Sequence, residues 1–264
     1  MVIRTAVSIS ATACLLAVGA GVPADGAAQR GAPPQPPPTP RAAAPIDLAG
    51  YWVSVVTEDW RWRMIVPPKG DYTSVPLNAE GRKAADTWEP SKAATDGCRP
   101  FGAAAIMRVP GRVHVTWDGD TILKIETDAG RQTRLLRFDK SHKPGAERTW
   151  QGYSIAEWDT VGNRVDAFAP FAGNTGRGAA QPRDGSLRVI TTDMRAGYYR
   201  RNGVPYSENA TMTEYFDRHA DYGTEWLIVT TTVEDPQYLT QPFITSTHFK
   251  REPDGSKWSP TSCE

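Results

Sequence analysis

Between Pro205 and Lys250 the chain reads PYSENATMTEYFDRHADYGTEWLIVTTTVEDPQYLTQPFITSTHFK, three runs rich in β-branched and aromatic residues. The runs Thr211 to Phe216, Trp226 to Val233 and Phe243 to Lys250 are separated by HADYG and EDPQYLTQP, which carry turn residues. That pattern predicts an antiparallel meander. Carboxylates sit on these strands among largely apolar positions, where a barrel or sandwich turns one face toward its interior.

The same reading extends toward the N-terminus. Tyr51 to Val56 predicts a first strand, and RVPGRVHVTW, DTILKIETDA, GRQTRLLRFD, TWQGYSIAEWD and SLRVITTDMRAGYY predict further strands. DGD, DAGR and the Asn-Gly of RNG supply turns between them. In RVHVTW, Arg112, His114 and Thr116 share one face and Val113, Val115 and Trp117 the other, a period of two that excludes a helix. Trp60, Arg61, Trp62 and Arg63 alternate in the same way. On a strand both indoles would share one face, as the wall of a ligand site or as core beneath a solvated arginine pair. LNAEGRKAADTW predicts one helix with Asn78 as N-cap, placed to plug or cap an open end of the sheet.

Strands do not alternate with long helices anywhere, which disfavours a parallel α/β sheet. The expected fold is mainly β, a single antiparallel lipocalin-like barrel or sandwich with one short helix over 46–264. Within it, 162–185 is long, Gly-rich and without strand pattern, a lid or a segment without fixed structure.

The first residues have another purpose. Met1 to Arg4 is short and positive, Thr5 to Ala20 is small and apolar, and cleavage sites follow Ala24 and Ala28, so 1–28 reads as a secretory signal peptide. Cys14 lies within it, discarded with the peptide or serving as a lipoprotein acceptor. Residues 29–45 are rich in Pro and Ala and read as a stiff, solvated spacer. Cys98 and Cys263 then remain for a periplasmic or secreted compartment, as one disulfide or two free thiols. A bridge closing so long a loop would stabilise the fold by about 5 kcal/mol on the chain-entropy model.

Composition narrows the function classes. Lys+Arg 30 balances Asp+Glu 30, so no field of one sign draws the protein to nucleic acid or anionic lipid; no nucleic-acid partner is expected, and no membrane span after the signal peptide. Nine Trp, nine Tyr and seven Phe point to large aromatic anchors in the core or to a ring-lined pocket. No metal is expected, because His114, His142, His219 and His248 are scattered without ligand spacing. No cofactor is expected either, since GNTGRG lies outside the strand-then-helix context of a phosphate-binding loop.

Candidate chemistry therefore rests on acids and phenols. Glu214 shares a face with Met212 and Phe216, and Glu157 with Ile155. If those faces point inward, either desolvation suits each Glu to general acid–base work, or each pairs with an inward arginine such as Arg112 or Arg188 and holds the barrel in register. His114 and His248 are candidates for the same interior.

The order TWQGYSIAEWD, GVPYSENATMTEYFDR and TTTVEDPQYLTQPFITSTHFK, with DLAGYW, PLNAEGR and the two cysteines, resembles a large family of exported bacterial β-rich proteins with a lipocalin-like or related barrel. Ser154, Glu208, Glu214, Asp235, Pro236 and Pro242 match its pattern, and Tyr238 or Leu239 stands where that family has a Tyr. Tyr153 and Tyr206 stand where it has histidines. A phenol, titrating near pH 10, orients a ligand or donates a proton rather than acting as a neutral-pH base.

Two functions are compatible with these residues. One is a barrel that binds an apolar, aromatic or terpenoid-like small molecule, lined by Trp60, Trp62, His114, Trp117, Glu157, Trp158 and His248. The other is a cofactor-independent lyase, isomerase or decarboxylase with Glu214 or Glu208 as base and Tyr206 or Tyr153 as acid. The oligomeric state is not legible in the sequence.

Overall fold

The computed structural model describes residues 36–91, 97–141, 144–160 and 185–263. The signal peptide, Cys14, the first part of the spacer, His142 and nearly all of the 162–185 insertion lie outside the described residues.

Nine strands close into one barrel in the order β1, β12, β11, β10, β7, β6, β5, β3, β2. They are β1 (Gly50–Val55), β2 (Arg112–Asp118), β3 (Ile122–Thr127), β5 (Thr133–Arg137), β6 (Tyr153–Thr160), β7 (Gly185–Thr192), β10 (Thr211–Asp221), β11 (Thr224–Glu234) and β12 (Phe243–Glu252). Closure removes the exposed edges that an open sheet of this size would carry. The expected meander is β10–β11–β12, with Glu214 opposite Thr231 and Thr230 opposite Ser246.

Within the barrel the pairing differs from the expected antiparallel pattern at one place. Strands β5 and β6 run parallel over Leu136↔Ser154 and Arg137↔Ile155. The connection 138–152 is long enough to bring the chain back to the same end, which a short hairpin cannot do. Short ladders lie outside the barrel: β8 (Gly197–Tyr198) with β9 (Pro205–Tyr206), and β13 (Thr261–Ser262) with β4 (Ala129–Gly130). A disulfide joins Cys98 to Cys263 and holds the C-terminal tail to the body.

Alternation sets the interior. Val113, Val115, Leu123, Ile125, Leu136, Leu187, Val189, Phe216, Leu227, Val229 and Phe249 point inward and pack with Trp52, Ile106 and Met107 as one buried cluster. A second cluster, including Leu77, Ala85, Met212, Val233 and Phe243, covers the end of the barrel where β10 begins and β11 finishes. Helix α2 (Ala79–Asp86) belongs to that cover, and the Asn78 side chain accepts from the Gly81 N–H as its N-cap. Its docking onto the β11–β12 connection is close: a Cβ at Gly81 would lie 2.5 Å from the Tyr238 carbonyl oxygen.

Residues 38–45, read from composition as spacer, touch the barrel: the Pro40 carbonyl accepts from Trp158 Nε1 at 2.8 Å. Among the described residues no helix is long and apolar enough to cross a membrane.

Trp60 to Arg63 form a helical turn, α1 (Trp60–Arg63), instead of an extended strand. The Trp62 and Arg63 N–H groups donate to the Asp59 carbonyl, and the Met64 N–H donates to that of Trp60. The two indoles therefore do not share a face. Strand propensity loses here to tertiary contacts, since the turn lets Arg63 bury itself against Glu58 and the Arg108 carbonyl. A third helix, α3 (Ala103–Ile106), supplies Ile106 to the barrel cluster.

Candidate functional site

Glu214 does face the interior, fully buried, but it meets an arginine. Arg134 of β5 donates from Nη1 to Oε1 at 3.0 Å and from Nη2 to Oε2 at 2.5 Å, and neither side chain has exposed surface. Thr191 and Ser154 continue the polar patch, their hydroxyls 2.8 Å apart. Both carboxylate oxygens are thereby occupied in a bidentate pair.

The other proposed acids and phenols do not join it. Glu208 is exposed and lies 3.7 Å from Arg148. Tyr153 stands on the opposite face of β6 from buried Ser154. Tyr206 is fully buried, seated where a side chain at Gly102 or Gly197 would collide with its phenol. Burial raises the Tyr206 pKa, and burial first and Asp235 second raise that of its neighbour Tyr199. Asp235 itself is buried, accepting from the Ser207 N–H and hydroxyl, each at 2.7 Å, and so tying β9 to the start of the β11–β12 connection.

Of the proposed site residues, Tyr153 and Glu157 line one cleft of ≈ 320 Å³ on the outer face of β6 and β7, with Ile155, Arg188 and Ile190, and the proposed ligand-binding residues as a set are dispersed. Trp117 and Trp158 close with Phe138 into an aromatic group. His114 stacks on Tyr51 with ring centroids 3.9 Å apart, and burial is the first cause lowering its pKa, with Glu126 opposing. His248 lies 3.2 Å from Glu58. Glu157 lies on the face of β6 opposite the buried Ala156, held by Arg188 and Lys140, each at 2.6 Å. Hydrogen bonds from Lys140 first and Arg188 second lower its pKa. Arg188 thus pairs with Glu157, and Arg112 with Glu252 at 2.8 Å, so neither meets Glu214.

Trp62 lines a site of another kind. Where β1 leaves the barrel and β2 enters it, Trp62, Arg63, Pro100, Ala105, Arg108 and Arg200 line a cleft of ≈ 60 Å³, with Tyr199 and Arg201 alongside. Arg63, Arg108 and Arg200 are only 9%, 7% and 6% exposed. Arg63 is anchored by Glu58 and by the Arg108 carbonyl, Arg108 by Asp59 at 2.7 Å, and Arg200 by the Ser74 hydroxyl at 2.6 Å. The Arg200 guanidinium also lies 4.8 Å from the centroid of the Trp62 ring.

These anchors leave donors over. Arg63 Nη2, Arg108 Nη1 and Arg200 Nε and Nη1 are buried without a hydrogen-bond partner, as is the Tyr199 hydroxyl. Burial is the leading cause lowering the pKa of Arg63, and burial and then Arg108 push that of Arg200 down to about 10. Holding a cation under these conditions is costly unless an anion shares the space. Two acceptors that fix the cluster, Asp59 and Ser74, have φ of 50° and 71°, left-handed backbone uncommon in residues other than glycine.

Sequence reasoning missed this group because its arginines lie at 63, 108 and 200 on unrelated segments. The available signal was the placement of charge in turns, RVPGR and YYRRNG, directly beside apolar strand ends. Among the described residues no three His, Cys, Asp or Glu side chains come together as a metal site. Comparison with protein-family models, curated proteins and solved structures finds no match to the chain.

Proposed function

We propose that this protein is an exported, small-molecule-binding barrel whose ligand is an anion seated in the arginine cleft at the barrel rim. One observation carries the reading: three arginines, each at least nine-tenths buried, line one small cleft, and four of their guanidinium nitrogens are buried without a hydrogen-bond partner. Guanidinium forks match carboxylate and phosphate oxygens in pairs, so both anion types fit. Pro100, Ala105 and Val109 provide the apolar wall that keeps the local dielectric low. As one of the exported β-rich proteins that its motifs resemble, the protein would meet such ligands in the periplasm or outside the cell.

An apolar guest inside the barrel is less well supported, because Leu123, Ile125, Leu136, Leu187 and Phe249 already fill that space. Proton transfer by Glu214 is disfavoured by the two guanidinium nitrogens on its oxygens.

Calorimetric titration with inorganic phosphate, sulfate and succinate, paired with thermal unfolding, tests the reading. Saturable binding of at least one anion is expected, with about 2.7 kcal/mol of stabilisation at a hundredfold excess over Kd. Arg200→Met should abolish it. Absence of saturable binding by all three anions would refute the assignment.

A further inference from the structure

Strands β6 and β7 pair so that three of their cross-strand pairs turn away from the core: Tyr153 opposite Thr192, Ile155 opposite Ile190, and Glu157 opposite Arg188. The residues between them, Ser154, Ala156, Val189 and Thr191, are buried toward the interior. Alternation thus sets a phenol and a hydroxyl, then two branched alkyl groups, then an ion pair in a row, successive pairs about 7 Å apart along the strands. The outward face of an antiparallel sheet favours polar residues at every level, and here the middle level is apolar.

These side chains, with Lys140, line the cleft of ≈ 320 Å³ on the outer wall. It is larger than the arginine cleft at the rim and shares no residue with it. Its volume falls in the range of about 300–1,000 Å³ typical of small-molecule sites. Its charged end is unbalanced. Among the described residues that line the cleft, Glu157 is the one carboxylate, and Arg188 and Lys140 both donate to it, each at 2.6 Å. Lys140 carries three donors, gives one to Glu157, and has a side chain 65% exposed. At the other end the Arg137 guanidinium lies 5.3 Å from the centroid of the Tyr153 ring and braces it as a wall.

We infer that this cleft is a second ligand site, taking an aromatic monocarboxylate whose carboxylate meets Lys140 and Arg188 and whose ring lies over Ile155 and Ile190 against Tyr153. Two cations with one carboxylate leave one positive charge over, which a single ligand carboxylate neutralises through charge-assisted hydrogen bonds. A flat ring covers both isoleucines at once and meets the Tyr153 ring offset or edge-on. About 13 Å separates the ion-pair level from the Tyr153 level, room for a ring on a short carboxylate arm and not for a long acyl chain.

Calorimetric titration of the disulfide-bonded protein with cinnamate tests this, beside cinnamyl alcohol, which lacks the charge, and octanoate, which lacks the ring. Saturable binding of cinnamate is expected, with cinnamyl alcohol weaker by about tenfold or more and octanoate by several-fold, since its chain loses more rotational freedom. Glu157→Gln removes the carboxylate that competes for Lys140 and Arg188, so it should tighten cinnamate binding by about tenfold. Ile155→Asp should abolish binding, and thermal unfolding of both variants checks that each is folded. Absence of saturable cinnamate binding, equal affinity for either comparator, unchanged or weaker binding by Glu157→Gln, or full binding by folded Ile155→Asp overturns the proposal. Displacement of cinnamate by excess inorganic phosphate would place it in the rim cleft and overturn the proposal too, while the anion reading of that cleft stands or falls on its own titration.

Discussion

Two groups of buried arginines in this protein have opposite surroundings. Inside the barrel, Arg134 faces one carboxylate, Glu214, and two of its nitrogens match the two oxygens of that partner. At the rim, Arg63, Arg108 and Arg200 share Glu58, Asp59 and one hydroxyl, and four of their nitrogens have no partner. Burial is similar; what differs is that Arg134 has a carboxylate to itself and leaves only Nε without a partner, while the three rim arginines leave four nitrogens over. A cation matched one to one with a carboxylate is fixed as structure, while a set of cations with donors over is poised to take an anion from outside.

The largest effect expected from this contrast lies in the interior. Glu214→Gln or Arg134→Met should each destabilise by about 3–5 kcal/mol, because each strands a buried charge or donor set, while Arg134→Met with Glu214→Leu should recover most of the loss. Urea unfolding of the three variants measures this. A loss below about 1 kcal/mol for Glu214→Gln would erase the contrast.

An intermediate effect is expected at the rim. Arg200→Met should change stability by only about 1 kcal/mol in either direction, since it removes a desolvated cation held by a single hydroxyl and an aromatic face. The pH dependence has a definite sign. The Arg200 pKa, down to about 10 from 12.5, means that the unfolded chain holds this proton more tightly than the folded one, so its contribution raises stability as pH climbs from about 10 toward 12.5. Phosphate binding needs the charge and should weaken over the same window, measured by titration calorimetry. Binding that stays constant through that window would show that Arg200 does not serve the cleft.

The smallest effect belongs to the outer wall, where Glu157 holds Arg188 and Lys140 with 38% of its side chain exposed. Its pKa lies below the usual 4.5, so its stabilisation is present above that value and is lost as pH falls through the lower, folded-state one. Solvent screening reduces this to a few tenths of a kcal/mol. Glu157→Gln should flatten the acid limb of the stability profile slightly, as read by thermal unfolding across pH.

What the sequence alone determined was whatever depends on local period and turn chemistry. The meander of β10, β11 and β12, the alternation that sends Val113, Val115 and Trp117 inward, the N-cap at Asn78 and the mainly β barrel follow from residue patterns a few positions long. Only the tertiary structure decided the rest. Closure and the parallel β5–β6 contact depend on where a long connection returns, and the partner of Glu214 depends on a strand 80 residues away. Trp60 to Arg63 became a helical turn because Arg63 gains more from Glu58 and the Arg108 carbonyl than an extended backbone would offer. The arginine cleft is the extreme case: residues from 62 to 201 meet there, and whether a guanidinium is satisfied is a property of the folded neighbourhood, which no local pattern encodes.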